Sequence, residues 1–262
     1  MSLLRIPFIL SGTWAAHVAS ASRPNPPPEK AEQIKRTGSE HFMAVIVWCG
    51  PVIRKVRRSF FLCMILDILN RRLIQIYFWG LMSVEIAVII ASVDPSSPLS
   101  TWIFSTLVVN NSPTTASKIR FTPLFLVGWL LVLSGSLIRF ACYRALGKLF
   151  TFELSMRKNH KLITSGPYAI VRHPAYTGLF MIMLGYSLWQ LGGGSWLREC
   201  SGLSLDGTLG RGLLFTSVTT DLFVVLALVS RTYREDAMLR EEFSDWDRWA
   251  ERVPCKLIPY VY

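Results

Sequence analysis

Two stretches of this chain gather side chains able to do chemistry. The first runs His160-Lys161-Leu162-Ile163-Thr164-Ser165-Gly166-Pro167-Tyr168 and resumes at Arg172-His173-Pro174-Ala175-Tyr176-Thr177-Gly178. Gly166-Pro167 is a turn signal, and Pro174 suits the first turn of a helix, where a missing N–H is harmless. A helix N-terminus offers unpaired N–H donors and the positive end of a dipole, which favour a carboxylate or a phosphate. Tyr168 and Tyr176 can cover a flat ring, and His160 and His173 can hydrogen-bond a polar cofactor. The competing reading is that Tyr, His and Arg here only mark the headgroup level of a membrane.

The second stretch is Arg231-Thr232-Tyr233-Arg234-Glu235-Asp236. Arg231 and Glu235 are four apart and share one helix face. A surface ion pair, worth little, is one reading. The other rests on position, since an apolar run ends just before Arg231. An Arg held there can receive a carboxylate from a lipid-embedded substrate through paired, charge-assisted hydrogen bonds, and Glu235 can hold a cationic cofactor group.

The elements that position these groups follow from the hydrophobic pattern. The chain has 262 residues, 51% hydrophobic, and a formal charge of +11. The apolar residues lie in long runs and the basic ones between them, which is the pattern of membrane spans and their topology signals rather than of a basic nucleic-acid-binding face. The five cysteines are scattered, with no Cys-x-x-Cys pair, and the four histidines lack metal-ligand spacing. We therefore expect an all-α, multi-pass transmembrane bundle of about five spans. The spans lie near residues 2–19, 73–93, 121–142, 175–191 and 213–229. Residues 2–19 also fit a signal peptide, with Ala19-Ser20-Ala21 as the cleavage form. A proline-led polar linker covers 23–41. Residues 42–70 hold two apolar stretches, each too short to span, and read as interfacial or re-entrant. Residues 95–120 read as a connection. Residues 1–142 make an N-terminal membrane region and 143–262 a functional region.

Arg144, Lys148, Arg157, Lys158, Lys161 and Arg172 face a single Glu153 in one connection, which places that connection in the cytosol. The charged tail returns to the same side. Within the tail, Leu239, Phe243, Trp246, Trp249 and Val253 recur at three- and four-residue intervals. They predict a cytosolic amphipathic helix that lids the site or anchors the tail at the interface. Arg139, near the far end of its span, can snorkel to the headgroups. Glu85 and Asp221, inside apolar runs, are either functional or packed and hydrogen-bonded.

Taken together, the first stretch and the tail resemble the isoprenylcysteine carboxyl methyltransferase family. The tail carries Arg231, Glu235, Leu239, Phe243, Arg252-Val253-Pro254 and Leu257-Ile258-Pro259. The resemblance covers roughly residues 150–262, with Ser244 where the family usually has Gly after the tail Phe. It implies an enzyme of the endoplasmic reticulum membrane with a cytosol-facing S-adenosylmethionine site. The cofactor contacts it implies are His160, Lys161, Leu162, Ile163, Tyr168, His173, Pro174, Ala175, Tyr176 and Glu235. Arg231 would act as the catalytic residue on the substrate carboxylate. The implied reaction is methyl esterification of the C-terminal prenylated cysteine of proteins, with membrane lipid as surroundings and no nucleic-acid partner. Transfer to a phospholipid amine and nicotinamide-dependent sterol reduction are the alternatives. The Arg-His-Pro motif occurs in related enzymes of both kinds.

Overall fold

The computed structural model describes residues 2–21, 60–150, 161–202 and 207–261. Among these residues there is no strand. The main helices are α1 (Arg5–Ala21), α2 (Phe60–Ala91), α3 (Pro98–Leu107), α4 (Pro123–Leu146), α5 (Pro174–Leu191), α6 (Thr208–Glu242) and α7 (Trp246–Arg252). Pro123 and Pro174 each open a helix, as their missing N–H groups predict. Residues 123–149 and α6 are long and apolar enough to cross a membrane, whereas the apolar part of α2, Phe78–Ala91, is shorter. The 35 residues of α6 rise about 52 Å at 1.5 Å each, well beyond a hydrocarbon core of roughly 30 Å. Its charged continuation from Arg231 therefore lies past the apolar run.

The chain forms two compact units. The first comprises Met1–Ser20, Ile76–Leu137 and Leu179–Leu222. Its core joins Ile9, Met82, Val88, Ile89, Phe104, Phe125, Val132 and Trp189. Gly128 on α4 and Gly185 on α5 let two backbones meet. A Cβ at Gly185 would stand 2.6 Å from the Gly128 carbonyl oxygen, so only glycine allows this approach. Arg5 is fully buried and pairs with Glu85 at 2.6 Å. It also donates to the Arg120 carbonyl and, at 2.7 Å, to that of Gly194. Glu85 accepts from the Trp196 N–H, and Asp221 accepts from the Ser187 hydroxyl at 2.7 Å. Both acids are thus packed, hydrogen-bonded groups.

The second unit comprises Ala21–Gln75, Ile138–Gly178 and Phe223–Tyr262. Trp246, Trp249 and Val253 form its core with Leu162, Tyr168, Leu239, Phe243 and Ala250. Arg139 is buried here rather than snorkelling. It donates to the Ala175 carbonyl at 3.0 Å and the Tyr143 hydroxyl at 2.8 Å.

Three local readings differ from the sequence expectation. Residues 95–120 contain α3 and the short helical turn Pro113–Ala116. Ser97 caps α3 by accepting the Ser100 N–H, and Pro98 follows it, a start signal that outweighs the Ser/Thr-rich composition. Residues 60–70 continue without a break into α2 instead of forming a separate interfacial piece; residues 42–59 lie outside the described set. The stripe from Leu239 to Val253 is not one helix. It breaks at 243–245, and α7 restarts behind Asp245. The φ of Ser244 is not positive, so the break does not require the family's usual glycine.

Candidate active site

The site is built within the second unit from the N-terminus of α5 and the charged part of α6. Gly166, with φ 63°, begins the turn Gly166–Ala169 that returns the chain toward α5. Three backbone-directed bonds then pin the α5 N-terminus to the C-terminal segment. The N–H groups of Arg172 and His173 donate to the Cys255 and Lys256 carbonyls at 3.0 and 2.8 Å. The Thr177 hydroxyl donates to Leu257 O at 2.6 Å.

Two elements remote in sequence meet at Tyr176 and Glu235. The Tyr176 hydroxyl donates to Glu235 Oε1 at 2.5 Å, and Arg231 Nε donates to the same oxygen at 2.9 Å. His173 Nδ1 lies 3.3 Å from Glu235 Oε2. His173 Nε2 lies 2.9 Å from Asp236 Oδ1. Arg172 Nη1 and Lys256 Nζ approach Asp236 Oδ2 at 3.1 and 3.7 Å. The imidazole stacks near the Tyr176 ring at 5.9 Å.

The electrostatics follow from these partners. Burial pushes the His173 imidazolium down, but hydrogen bonds to Asp236 and Glu235 outweigh it, and the net shift is upward. Burial alone would raise the Glu235 carboxyl; the His173 hydrogen bond and the Arg231 charge reverse this and hold it below the usual carboxylate range. Both directions describe one charged, hydrogen-bonded pair. Burial keeps the Tyr168 hydroxyl protonated, and that hydroxyl is hydrogen-bonded with the Cys142 thiol.

Of the residues the sequence singles out, Tyr176, His173, Glu235 and Arg231 form this cluster. Leu162 packs against the tryptophan core, and Tyr168 joins it while accepting the Trp249 indole N–H at 3.3 Å. Pro174 is buried, Ala175 receives Arg139, Ile163 is half-buried and Lys161 is exposed. His160 lies outside the described residues. Sequence reasoning included Arg172 and Asp236 in the two stretches without giving them a role, and missed Lys256 as a member. The signal was present in the adjacent Glu235-Asp236 pair, since two neighbouring acids on a helix point about 100° apart and can hold the two nitrogens of one imidazole.

This arrangement fits an all-helical membrane protein with a polar cluster just past the apolar run of α6. Residues 127–191 match the isoprenylcysteine carboxyl methyltransferase (ICMT) family. The match covers α4 through α5, including the first motif, and stops before Arg231 and Glu235. Among curated proteins, the chain is 27% identical over 137 residues to protein-S-isoprenylcysteine O-methyltransferase B of Arabidopsis thaliana, covering 51% of this chain and 58% of the relative. It is 29% identical over 138 residues to a probable protein-S-isoprenylcysteine O-methyltransferase of Oryza sativa subsp. indica, covering 52% of this chain and 61% of the relative. The subsp. japonica protein of the same description matches equally. The chain thus spans about three fifths of the length of these relatives. No solved structure matches it.

Proposed function

We propose that this protein transfers a methyl group from S-adenosylmethionine to the carboxylate of a C-terminal prenylcysteine, at the cytosolic face of the endoplasmic reticulum membrane. Residues 143–262 would carry the reaction and about five spans would embed the chain. The observation that carries the reading is the meeting of Tyr176 with Glu235, which joins the two motifs of the family resemblance. The family match and the names of the relatives support it.

The residues present fit such a donor. A carboxylate offers about four acceptor positions. Glu235 uses three, toward Tyr176, Arg231 and His173, which leaves capacity for one cationic donor group. Leu162 and Tyr168 supply apolar and aromatic surface, and His160 to Ile163, Pro174 and Ala175 complete the set. When bound, S-adenosylmethionine supplies an electrophilic methyl carbon on a positively charged sulfur.

The acceptor carboxylate is already ionised near neutral pH, so no strong general base is required. The chain's own work is alignment and exclusion of water. Arg231, held by Glu235 and with its guanidinium carbon 5.9 Å from the centre of the Tyr176 ring, would orient the substrate carboxylate. Glu235 would hold the donor. Opposite charges neutralise as the methyl moves, so a dry setting favours reaction, in keeping with a position just past the apolar run of α6.

The test uses full-length protein in neutral detergent with methyl-labelled S-adenosylmethionine and an N-acylated prenylcysteine. Base-labile label on the cysteine carboxyl is the expected result. Label only on phosphatidylethanolamine, or sterol-dependent nicotinamide oxidation without transfer, would overturn it.

A further inference from the structure

Ile258-Pro259-Tyr260-Val261 is an uncharged run in which every residue is exposed. Ile258 is 51%, Tyr260 100% and Val261 76% exposed. The run forms a turn, closed by the Val261 N–H donating to Ile258 O at 3.1 Å. Tyr260 sits at φ 65°, and the ring of Pro259 fixes the φ before it. The base of the turn is held. Leu257 is buried, and its carbonyl accepts the Thr177 hydroxyl at 2.6 Å in the first turn of α5.

The turn lies close to the outward side of α6. Leu222, Leu226 and Tyr233 are exposed, and their spacing of four and seven keeps them on one helix face. Leu222 and Leu226 belong to the apolar run. Tyr233 stands two residues past Arg231, about 3 Å further along the axis, where the helix leaves the hydrocarbon. A ring with a hydroxyl suits that level. The Lys256 ammonium lies 3.3 Å from the centre of the Tyr233 ring. Lys256 therefore reaches the outward face of α6 at this level, two residues before the turn begins.

We propose that the Ile258–Val261 turn inserts into the phospholipid interface of the membrane that α6 crosses, beside Tyr233. A turn already closed by a hydrogen bond and a proline gains by moving apolar surface out of water and loses little chain freedom in doing so. Pro259 also carries no N–H that would need a partner there. The anchoring that the tryptophan stripe of the tail suggested falls to this turn instead. Trp246 and Trp249 are buried in the core of the unit, whereas Ile258, Tyr260 and Val261 face outward. Because Thr177 holds the neighbouring Leu257 carbonyl, seating the turn fixes the α5 N-terminus against the membrane surface. The inference rests on α6 crossing a membrane and is independent of methyl transfer.

The test uses the full chain in phosphatidylcholine vesicles, with photoreactive p-azidophenylalanine placed at one position at a time. Tyr260 is fully exposed, so Tyr260→p-azidophenylalanine does not threaten the fold. The same change at Leu226 gives the lipid reference. At Glu241, exposed and about 15 Å beyond Arg231 along α6, it gives the water reference. After illumination, mass spectrometry reads what each position has captured. We expect phosphatidylcholine adducts at Tyr260 and Leu226 and their loss at Glu241. Adding Val261→Asp, which places a charge on the tip, should lower the Tyr260 adduct by about tenfold. Capture of water alone at Tyr260, a crosslinked second copy of the chain in place of lipid, or an adduct yield unchanged by Val261→Asp overturns the proposal.

Discussion

The Tyr176 hydroxyl lies 2.5 Å from Glu235, although 59 positions separate the two residues in the chain. Tyr176 stands in the first turn of α5 and Glu235 in the charged continuation of α6. A phenol donating to a buried carboxylate makes a charge-assisted bond worth about 1.5–3 kcal/mol. Tyr176→Phe should therefore weaken S-adenosylmethionine binding by about tenfold or more while leaving the fold intact. Equilibrium binding alongside a thermal melt checks this, and unchanged affinity would remove the bond from the donor site.

Arg231 shares its carboxylate partner with Tyr176. If its task is to orient the acceptor, Arg231→Lys should lower turnover by about a hundredfold, since an ammonium cannot receive a carboxylate bidentately. Donor affinity should change by less than about threefold, because the positive charge beside Glu235 is kept. Steady-state kinetics with direct donor binding separate the two, and equal loss of both would assign Arg231 to holding Glu235 alone.

His173 and Glu235 set a pH dependence of stability. The folded imidazole binds its proton more tightly than the ordinary value of 6.5. Its stabilisation is complete below 6.5 and disappears as pH rises through the folded value. The folded Glu235 carboxyl lies below its ordinary 4.5. Its stabilisation is present above 4.5 and disappears as pH falls through the folded value. The pair therefore contributes most between 4.5 and 6.5. Thermal unfolding should show a falling Tm as pH is raised from about 6 to about 9, and Asp236→Asn should lower Tm and flatten that limb. A wild-type Tm that rises over this range would contradict the assignment.

Trp249 is 3% exposed and ties α7 to the motif turn through the Tyr168 carbonyl. Trp249→Ala should cost about 3–5 kcal/mol, read as a lower Tm, and should also weaken donor binding, because Tyr168 loses its support. Trp249→Phe should keep most of the packing and lose only the hydrogen bond, about 1 kcal/mol. Similar melts for the two variants would show that the indole bond, rather than packing, dominates.

The helical architecture was legible because apolar runs, basic flanks and Pro at helix starts act locally. Pro123 and Pro174 open their helices where expected. The pairing of Arg231 with Glu235 was legible from i,i+4 spacing, and the grouping of the two motifs from resemblance. Other features depend on partners remote in sequence. Arg139 looked like a snorkelling residue, because nothing local shows that the Ala175 carbonyl and Tyr143 receive it. The Trp246 and Trp249 stripe looked interfacial, because periodicity identifies an apolar face without saying what covers it; here Leu162 and Tyr168 do. Arg5 and Glu85, 80 positions apart, each look anomalous in an apolar run, and only their 2.6 Å pairing explains both. Asp236 was given no role because its partners, Arg172, His173 and Lys256, come from two other segments.

In the proposed reaction Glu235 anchors a cationic methyl donor. Calorimetric titration of S-adenosylmethionine into wild type and Glu235→Gln tests it most directly. The substitution keeps the shape and removes the charge, so the expected result is saturable binding by wild type and a loss of about tenfold or more in the variant. Equal affinity in both proteins, or no binding by a folded wild type, would contradict it.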